Sequence, residues 1–298
     1  MTSVLIHEVG PRDGLQVEKV VVPTETKLAW LERLIASGLD IVQVGSFVHP
    51  EKVPQMADTD ELFRRLTATR RSGGAMLSGL VLNERGLERG LACGVEMFCL
   101  GVSASETHSR KNTGMGTEDA MRRIIFAALE ARQAGREVQV SVQSAFGCGF
   151  EGVVPEARVM QVVAAYLDAG LTAISLADTA GHAHPAQVTR YVRRILELEP
   201  TARVTAHIHN TYGVGMANVY AALGAGATSI ETSFGGLGGC PFTKVAAGNV
   251  ATEDFVRALQ RDGRRNDINL TELIAIARDV AEFLGRELPG CVYKIGAA

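Results

Sequence analysis

The feature that most constrains this chain is a short pattern that returns along its length. A helix-like segment ends in a small residue and a glycine, and an apolar, β-branched run follows at once. It is seen as IASG-LDIVQV (35–44), LACG-VEMFCL (91–100), RQAG-REVQVSV (132–142), LDAG-LTAISL (167–176) and LGAG-ATSIET (223–232). A glycine just past a helix takes the left-handed backbone that a Cβ disfavours, and the chain then turns into a buried strand. Helix-then-strand units repeated in this way signal βα modules and a parallel sheet.

Filling the gaps gives eight predicted strands, at 4–9, 41–44, 76–81, 97–102, 138–142, 173–176, 204–208 and 228–231. Predicted helices lie at 24–37, 60–69, 84–92, 117–134, 155–169, 185–197, 215–224 and 252–260. Their starts carry first-turn signals: Pro23–Thr24 before Glu25, Thr117 before Glu118 and Asp119, and Pro185. Eight strands, each followed by a helix, predict a (β/α)₈ TIM barrel, with an open doubly wound sheet as the alternative. Residues 271–284 read as an additional C-terminal helix after a polar linker, and the whole chain, 1–298, as one catalytic domain.

Composition narrows the function. With 298 residues and 46% hydrophobic content there is ample material for one barrel core. A net charge of −3 and a pI near 6.2 argue against nucleic acid as a partner. No apolar run reaches the roughly 18 residues of a membrane span. The N-terminal MTSVLIHEVG resembles neither a signal peptide nor an Arg-rich presequence, and the five cysteines contain no C-x-x-C pair. The expected setting is reducing and cytoplasmic.

In such a barrel the chemistry sits where strands end and βα loops begin. The segments expected there are 10–16, 45–50, 103–112, 144–152, 177–184, 209–213 and 233–254; they are polar or glycine-rich, whereas the strands are apolar. In VTAHIHN (204–210) the period of two sends His207 and His209 to one side of a strand, where two imidazoles can grip one divalent cation. Arg12 and Asp13 follow the first strand in what reads as a tight Pro-x-x-Gly turn. Asp13 offers a hard oxygen ligand and Arg12 a group to stabilise an oxyanion. In an isolated RDG the plainer expectation is a turn whose Asp caps amides, but one barrel face would bring Asp13 to the two histidines. Residues 235–249 form a glycine-rich segment, expected to be a mobile lid or a backbone cradle for an anion. It includes Cys240, an acid/base thiol or an incidental cysteine, and Asn249, an amide-oxygen ligand or a helix cap.

GPRDGLQ (10–16), SFVHPEKVPQMAD (46–58), ADTAG (177–181), HIHNTYGVGMAN (207–218) and GGLGGCPFTKVAAGNVATED (235–254) resemble the hydroxymethylglutaryl-CoA lyase family, metal-dependent TIM-barrel Claisen-type lyases and synthases. The resemblance runs in order from about residue 4 to 285, and the G-G-L-G-G-C-P loop is specific to the lyase branch. It implies a cation, Mg²⁺ or Mn²⁺ with Zn²⁺ as a substitute, held by Asp13, His207, His209 and Asn249. It implies Arg12 polarising a thioester carbonyl, Cys240 returning a proton to the enolate, and Asp178 as a carboxylate near the substrate. Gln16, Gln43, Ser141 and Gln143 would line the acyl site, with Gly235, Gly236, Gly238 and Gly239 in the lid. The implied reaction cleaves 3-hydroxy-3-methylglutaryl-CoA to acetyl-CoA and acetoacetate, a step of leucine degradation, in a homodimer or larger homo-oligomer.

Three positions depart from the family pattern. Gln43 stands where a Glu is usual, Val17 where an Asn is usual, and Ser141 where a Tyr is common. Gln43 cannot ionise, so any acid/base work of that Glu is expected to move, with Asp178 as the candidate. The departures keep open a related substrate such as citramalyl-CoA. They also leave room for a Claisen synthase joining acetyl-CoA to a 2-oxo acid, or for a binding barrel without turnover. His49, His108, His182 and His184 are not expected to be ligands; Lys19, Lys111 and Asn112 are candidates to meet the CoA phosphates.

Overall fold

In the computed structural model, residues 4–69, 74–239 and 248–296 are described. Eight parallel strands close on themselves in chain order: β1 (Leu5–Glu8), β2 (Ile41–Ser46), β3 (Met76–Leu80), β4 (Met97–Ser103), β5 (Glu137–Gln143), β6 (Ala173–Ala177), β7 (Arg203–His207) and β8 (Ser229–Thr232). The expected TIM barrel is the observed one. Helices α1 (Thr24–Ala36), α2 (Thr59–Thr69), α3 (Glu84–Cys93), α4 (Glu106–Thr113), α5 (Thr117–Gln133), α6 (Glu156–Asp168), α7 (Pro185–Leu198), α8 (Gly215–Ala225) and α9 (Thr252–Arg261) surround it. The additional C-terminal helix is present as α10 (Leu270–Leu284), followed by the short α11 (Val292–Ile295).

The recurring glycines do what their position requires. Gly38, Gly94, Gly135, Gly170 and Gly226 all have φ between 72° and 110°, the left-handed backbone that releases the chain from helix into strand. The strands then sort their side chains by period two. Val140 and Val142 on β5, Ile174 and Leu176 on β6, and Val204 and Ala206 on β7 are buried between sheet and helices. Their alternates Gln139, Ser141, Gln143, Ser175 and His207 line the barrel interior. Each fully buried Val, Leu or Ile adds about 1.5–3 kcal/mol, so the apolar shell stabilises a barrel whose interior is polar.

Two local expectations are corrected. Residues 103–112 are not all loop, because α4 occupies most of them. Ser105 Oγ accepts from His108 N at 3.2 Å to cap its start, and Gly114 closes its end with φ 77°. The helix is polar on nearly every face, so no hydrophobic period announced it. GPRDG is not a tight turn but one turn of π-helix, Gly10–Gly14, in which Val9 O receives the N–H of Gly14 at 3.5 Å as well as that of Asp13 at 2.7 Å. The wide turn carries Arg12 and Asp13 inward together, and both are buried.

Candidate active site and metal centre

His207 is the last residue of β7, and His209, two residues on, bridges to Asn249 beyond β8. The period of two puts both rings on the inner side, with their Nε2 atoms 3.0 Å apart. From across the β1 end, Asp13 Oδ2 comes to 4.0 Å from His207 Nε2 and 3.9 Å from His209 Nε2. All three residues are buried, and one ligand atom from each lies within 4.8 Å of the others.

These atoms suit a divalent cation. Two imidazole nitrogens and a carboxylate oxygen form the mixed N/O set that such ions take. Asn249 Nδ2 donates to Asp13 Oδ2 at 2.7 Å and to Leu237 O at 3.0 Å, while its Oδ1 is buried with no partner among the described residues. A buried amide oxygen without a donor costs free energy unless something positive meets it. Burial would raise the Asp13 pKa, but Arg12, His207 and His209 and the Asn249 hydrogen bond outweigh it and hold the carboxyl well below the usual range. The same burial, with the His207 charge, holds His209 down to about 4. Burial would lower the His207 pKa too, but its Glu231 hydrogen bond and the Glu231 and Asp13 charges outweigh it and raise it above the ordinary value. The set is thus one anion, a neutral His209 and a His207 whose proton a cation would displace.

Arg12 is fixed beside this group. Its Nε donates to Gln43 Oε1, at a shift in the β2–β3 register between Gln43 and Gly45, and its Nη1 donates to Asp13 Oδ1 at 2.6 Å. Gln16 Nε2 reaches the same Oδ1 at 3.2 Å. These residues open on a cavity of about 480 Å³ whose wall includes Gln16, Val17, Gln43, Ser141 and Gln143. The three departures from the family pattern therefore face one space.

The described part of the glycine-rich segment is closely packed. Gly235, Gly236 and Leu237 are buried, and Gly238, at φ 102°, packs against Asp13 and Asn249; Gly239 reaches the cavity wall. Cys240 lies outside the described residues. Asp178 follows β6 beside the group: its backbone N–H donates to His207 O at 2.8 Å, and both carboxylate oxygens accept from Ala183 N at 3.2 Å. Burial, only partly offset by the loop amides, pushes its pKa up to about 7.

Sequence reasoning passed over Glu231, His7, Gln139 and Lys52. Glu231 and Gln139 face the barrel interior beside His207, and Lys52 and His108 join the cavity wall. The available signal was an acidic residue inside the apolar run ATSIET and a histidine inside LIHE.

A closed parallel barrel with a buried carboxylate–bis-histidine centre and a fixed arginine at its C-terminal rim defines a metal-centred TIM-barrel enzyme. The HMGL-like family model matches residues 3–280, and the chain belongs to that family. It is 37% identical over 287 residues to the hydroxymethylglutaryl-CoA lyase of Bacillus subtilis (strain 168), covering 96% of this chain and 95% of that one. It is 39% identical over 303 residues to the (R)-citramalyl-CoA lyase of Chloroflexus aurantiacus, covering 99% and 96%. Among solved structures, an HMG-CoA lyase from Acinetobacter baumannii in complex with coenzyme A and 3-methylmalate superposes with a TM-score of 0.91 at 36% identity, covering 99% of this chain and 95% of that one.

Proposed function

We propose that this protein is a divalent-cation-dependent acyl-CoA lyase that cleaves 3-hydroxy-3-methylglutaryl-CoA, or a close 3-hydroxyacyl-CoA such as citramalyl-CoA, to acetyl-CoA and a keto acid. The observation that carries this reading is the meeting of Asp13, His207 and His209 beside Arg12, in a chain alike along nearly its whole length to lyases of both thioesters. Asp13, His207 and His209 would hold the cation, Mg²⁺ or Mn²⁺, with the orphaned Oδ1 of Asn249 as a fourth ligand. The chemistry such an ion supplies when bound is Lewis-acid polarisation of an alcohol and a carbonyl oxygen.

The chain's own side chains account for the rest. Breaking C2–C3 transfers the C3 hydroxyl proton to a base, for which Asp178 is the candidate, and leaves the bonding pair on C2 as a thioester enolate. Arg12, oriented by Gln43 and Asp13, stabilises the enolate oxygen with a charge already in place; one such donor is worth roughly 2.7–4 kcal/mol. Cys240 then protonates C2 to release acetyl-CoA. Asp178 shares the single N–H of Ala183 between its two oxygens, which orients the carboxylate and leaves lone pairs free for the C3 hydroxyl proton. Gln16, Gln43, Ser141 and Gln143 shape the acyl site, where Val17 takes away a polar group and Ser141 a bulky one relative to the family pattern.

Mass-spectrometric product analysis of the Mg²⁺-activated protein tests this. Incubation with each thioester should yield acetyl-CoA, with acetoacetate from 3-hydroxy-3-methylglutaryl-CoA or pyruvate from citramalyl-CoA. No cleavage across a panel of 3-hydroxyacyl-CoA thioesters, despite binding, would sink the lyase reading. Release of free CoA thiol from acetyl-CoA plus a 2-oxo acid would point to the synthase instead.

A further inference from the structure

Beneath the metal centre the barrel interior holds a buried polar network that the proposed reaction does not use. Glu231, on β8, sits at the level of His207 on β7 and His7 on β1, since both pair with it in the sheet register. Its Oε2 meets His207 Nδ1 at 2.7 Å, its Oε1 accepts from Gln139 Nε2 at 2.5 Å, and His7 Nδ1 lies 3.6 Å from Oε1. Gln139 Oε1 in turn accepts from Thr205 Oγ1 at 3.0 Å, and His7 Nε2 contacts Ser78 Oγ at 2.8 Å.

The hydrogen atoms in this network follow from donor and acceptor logic. Gln139 must turn its amide nitrogen to Glu231, because its oxygen at that distance would face a carboxylate with no proton between them. Thr205 then finds the Gln139 oxygen as its acceptor. Glu231 is left with acceptor oxygens on both sides, so His207 supplies an N–H from Nδ1. With Nδ1 engaged by Glu231, Nε2 is the nitrogen that faces Asp13 and His209 and is left to ligate. Because Gln43 is neutral, Asp13 and Glu231 are the only acidic side chains among the described residues that line the cavity.

We infer that Glu231, held by Gln139 and Thr205, is a positioning residue that locks His207 in the tautomer and orientation needed to ligate the cation. The inference rests on the metal-dependent reading of Asp13, His207 and His209. A carboxylate behind a ligating imidazole fixes the ring and raises its basicity, and losing such a partner typically weakens metal affinity roughly 10- to 100-fold.

The test is Mn²⁺ binding by calorimetry, with no substrate present, on wild-type protein, Glu231→Gln and Glu231→Asp. Glu231→Gln is expected to bind Mn²⁺ roughly 10- to 100-fold more weakly, and Glu231→Asp, which keeps a shorter carboxylate, to recover part of that loss. Gln139→Met leaves the carboxylate in place and removes its fixed donor, so it still reads the network if Glu231→Gln does not fold; it should bind roughly threefold to tenfold more weakly. Wild-type affinity in Glu231→Gln, equal losses in both Glu231 variants, or an unchanged Gln139→Met would overturn the positioning role while leaving the metal site intact. Wild-type protein that takes up no Mn²⁺ would overturn the metal reading itself.

Discussion

The Nε2 atoms of His207 and His209 stand 3.0 Å apart, a separation at which the two nitrogens share either a hydrogen or a cation. The third group in reach is Asp13, at 3.9–4.0 Å from both. His207→Ala should therefore lower Mn²⁺ affinity by more than the roughly 10- to 100-fold typical of losing an outer partner, and lower activity with it. Chelation should abolish turnover in the parent protein. At 100 times Kd, restored metal should stabilise the fold by about 2.7 kcal/mol in thermal or urea unfolding. A His207→Ala protein active at full metal occupancy would remove it from the ligand set.

Arg12 is expected to act on the reaction and not on the ion. Arg12→Gln should retain Mn²⁺ binding and lose roughly 10²- to 10³-fold in kcat, with a small change in KM, as expected for an interaction that strengthens in the transition state. Steady-state kinetics with the identified thioester decides it. A kcat within a few-fold of the parent value rules out the enolate role.

Gly238 is where the glycine-rich segment and the metal centre meet. A Cβ there would lie 2.5 Å from Asn249 Nδ2 and 2.9 Å from Asp13 Oδ2, on a backbone with φ 102° that side chains seldom adopt. Gly238→Ala is expected to displace both groups and to cost on the order of 1–3 kcal/mol in stability. Mn²⁺ affinity should fall along with it. Binding and stability equal to those of the parent protein would mean that the loop yields more easily than its packing implies.

Glu8 gives a pH signature. Its oxygens accept from Gly10 N, Phe234 N and Thr252 Oγ1, yet burial outweighs these bonds and pushes its pKa up to about 7 from 4.5. The folded protein therefore holds a proton that the unfolded chain has released between those values. Its contribution to stability is full below about pH 4.5 and is lost as pH rises to about 7, by at most about 1.4 kcal/mol per unit. His7 and His209, held down to about 4 by burial, act in the opposite sense up to 6.5. Comparing Glu8→Gln with its parent isolates the glutamate. The variant should gain stability relative to the parent between pH 5 and 7.5 in urea titrations, and a constant difference across that range would refute the assignment.

The sequence by itself determined the element order, the barrel and the three metal-facing residues. The helix–glycine–strand pattern reports backbone conformation locally, and the period of two in VTAHIHN fixes the side of the strand on which two imidazoles lie. Family-like motifs added Asp178 and chose among the roles already open to Arg12 and Asn249. The sequence could not announce α4, whose stability comes from caps and not from an apolar stripe, nor the π-turn that carries Arg12 and Asp13 inward. Only the tertiary structure decided which carboxylate stands behind the site. Glu231, 24 residues from His207, reaches its ring because β7 and β8 are neighbours in register. Contacts between strands depend on how the barrel closes, and that information is shared among all eight strands and carried by no single segment of the chain.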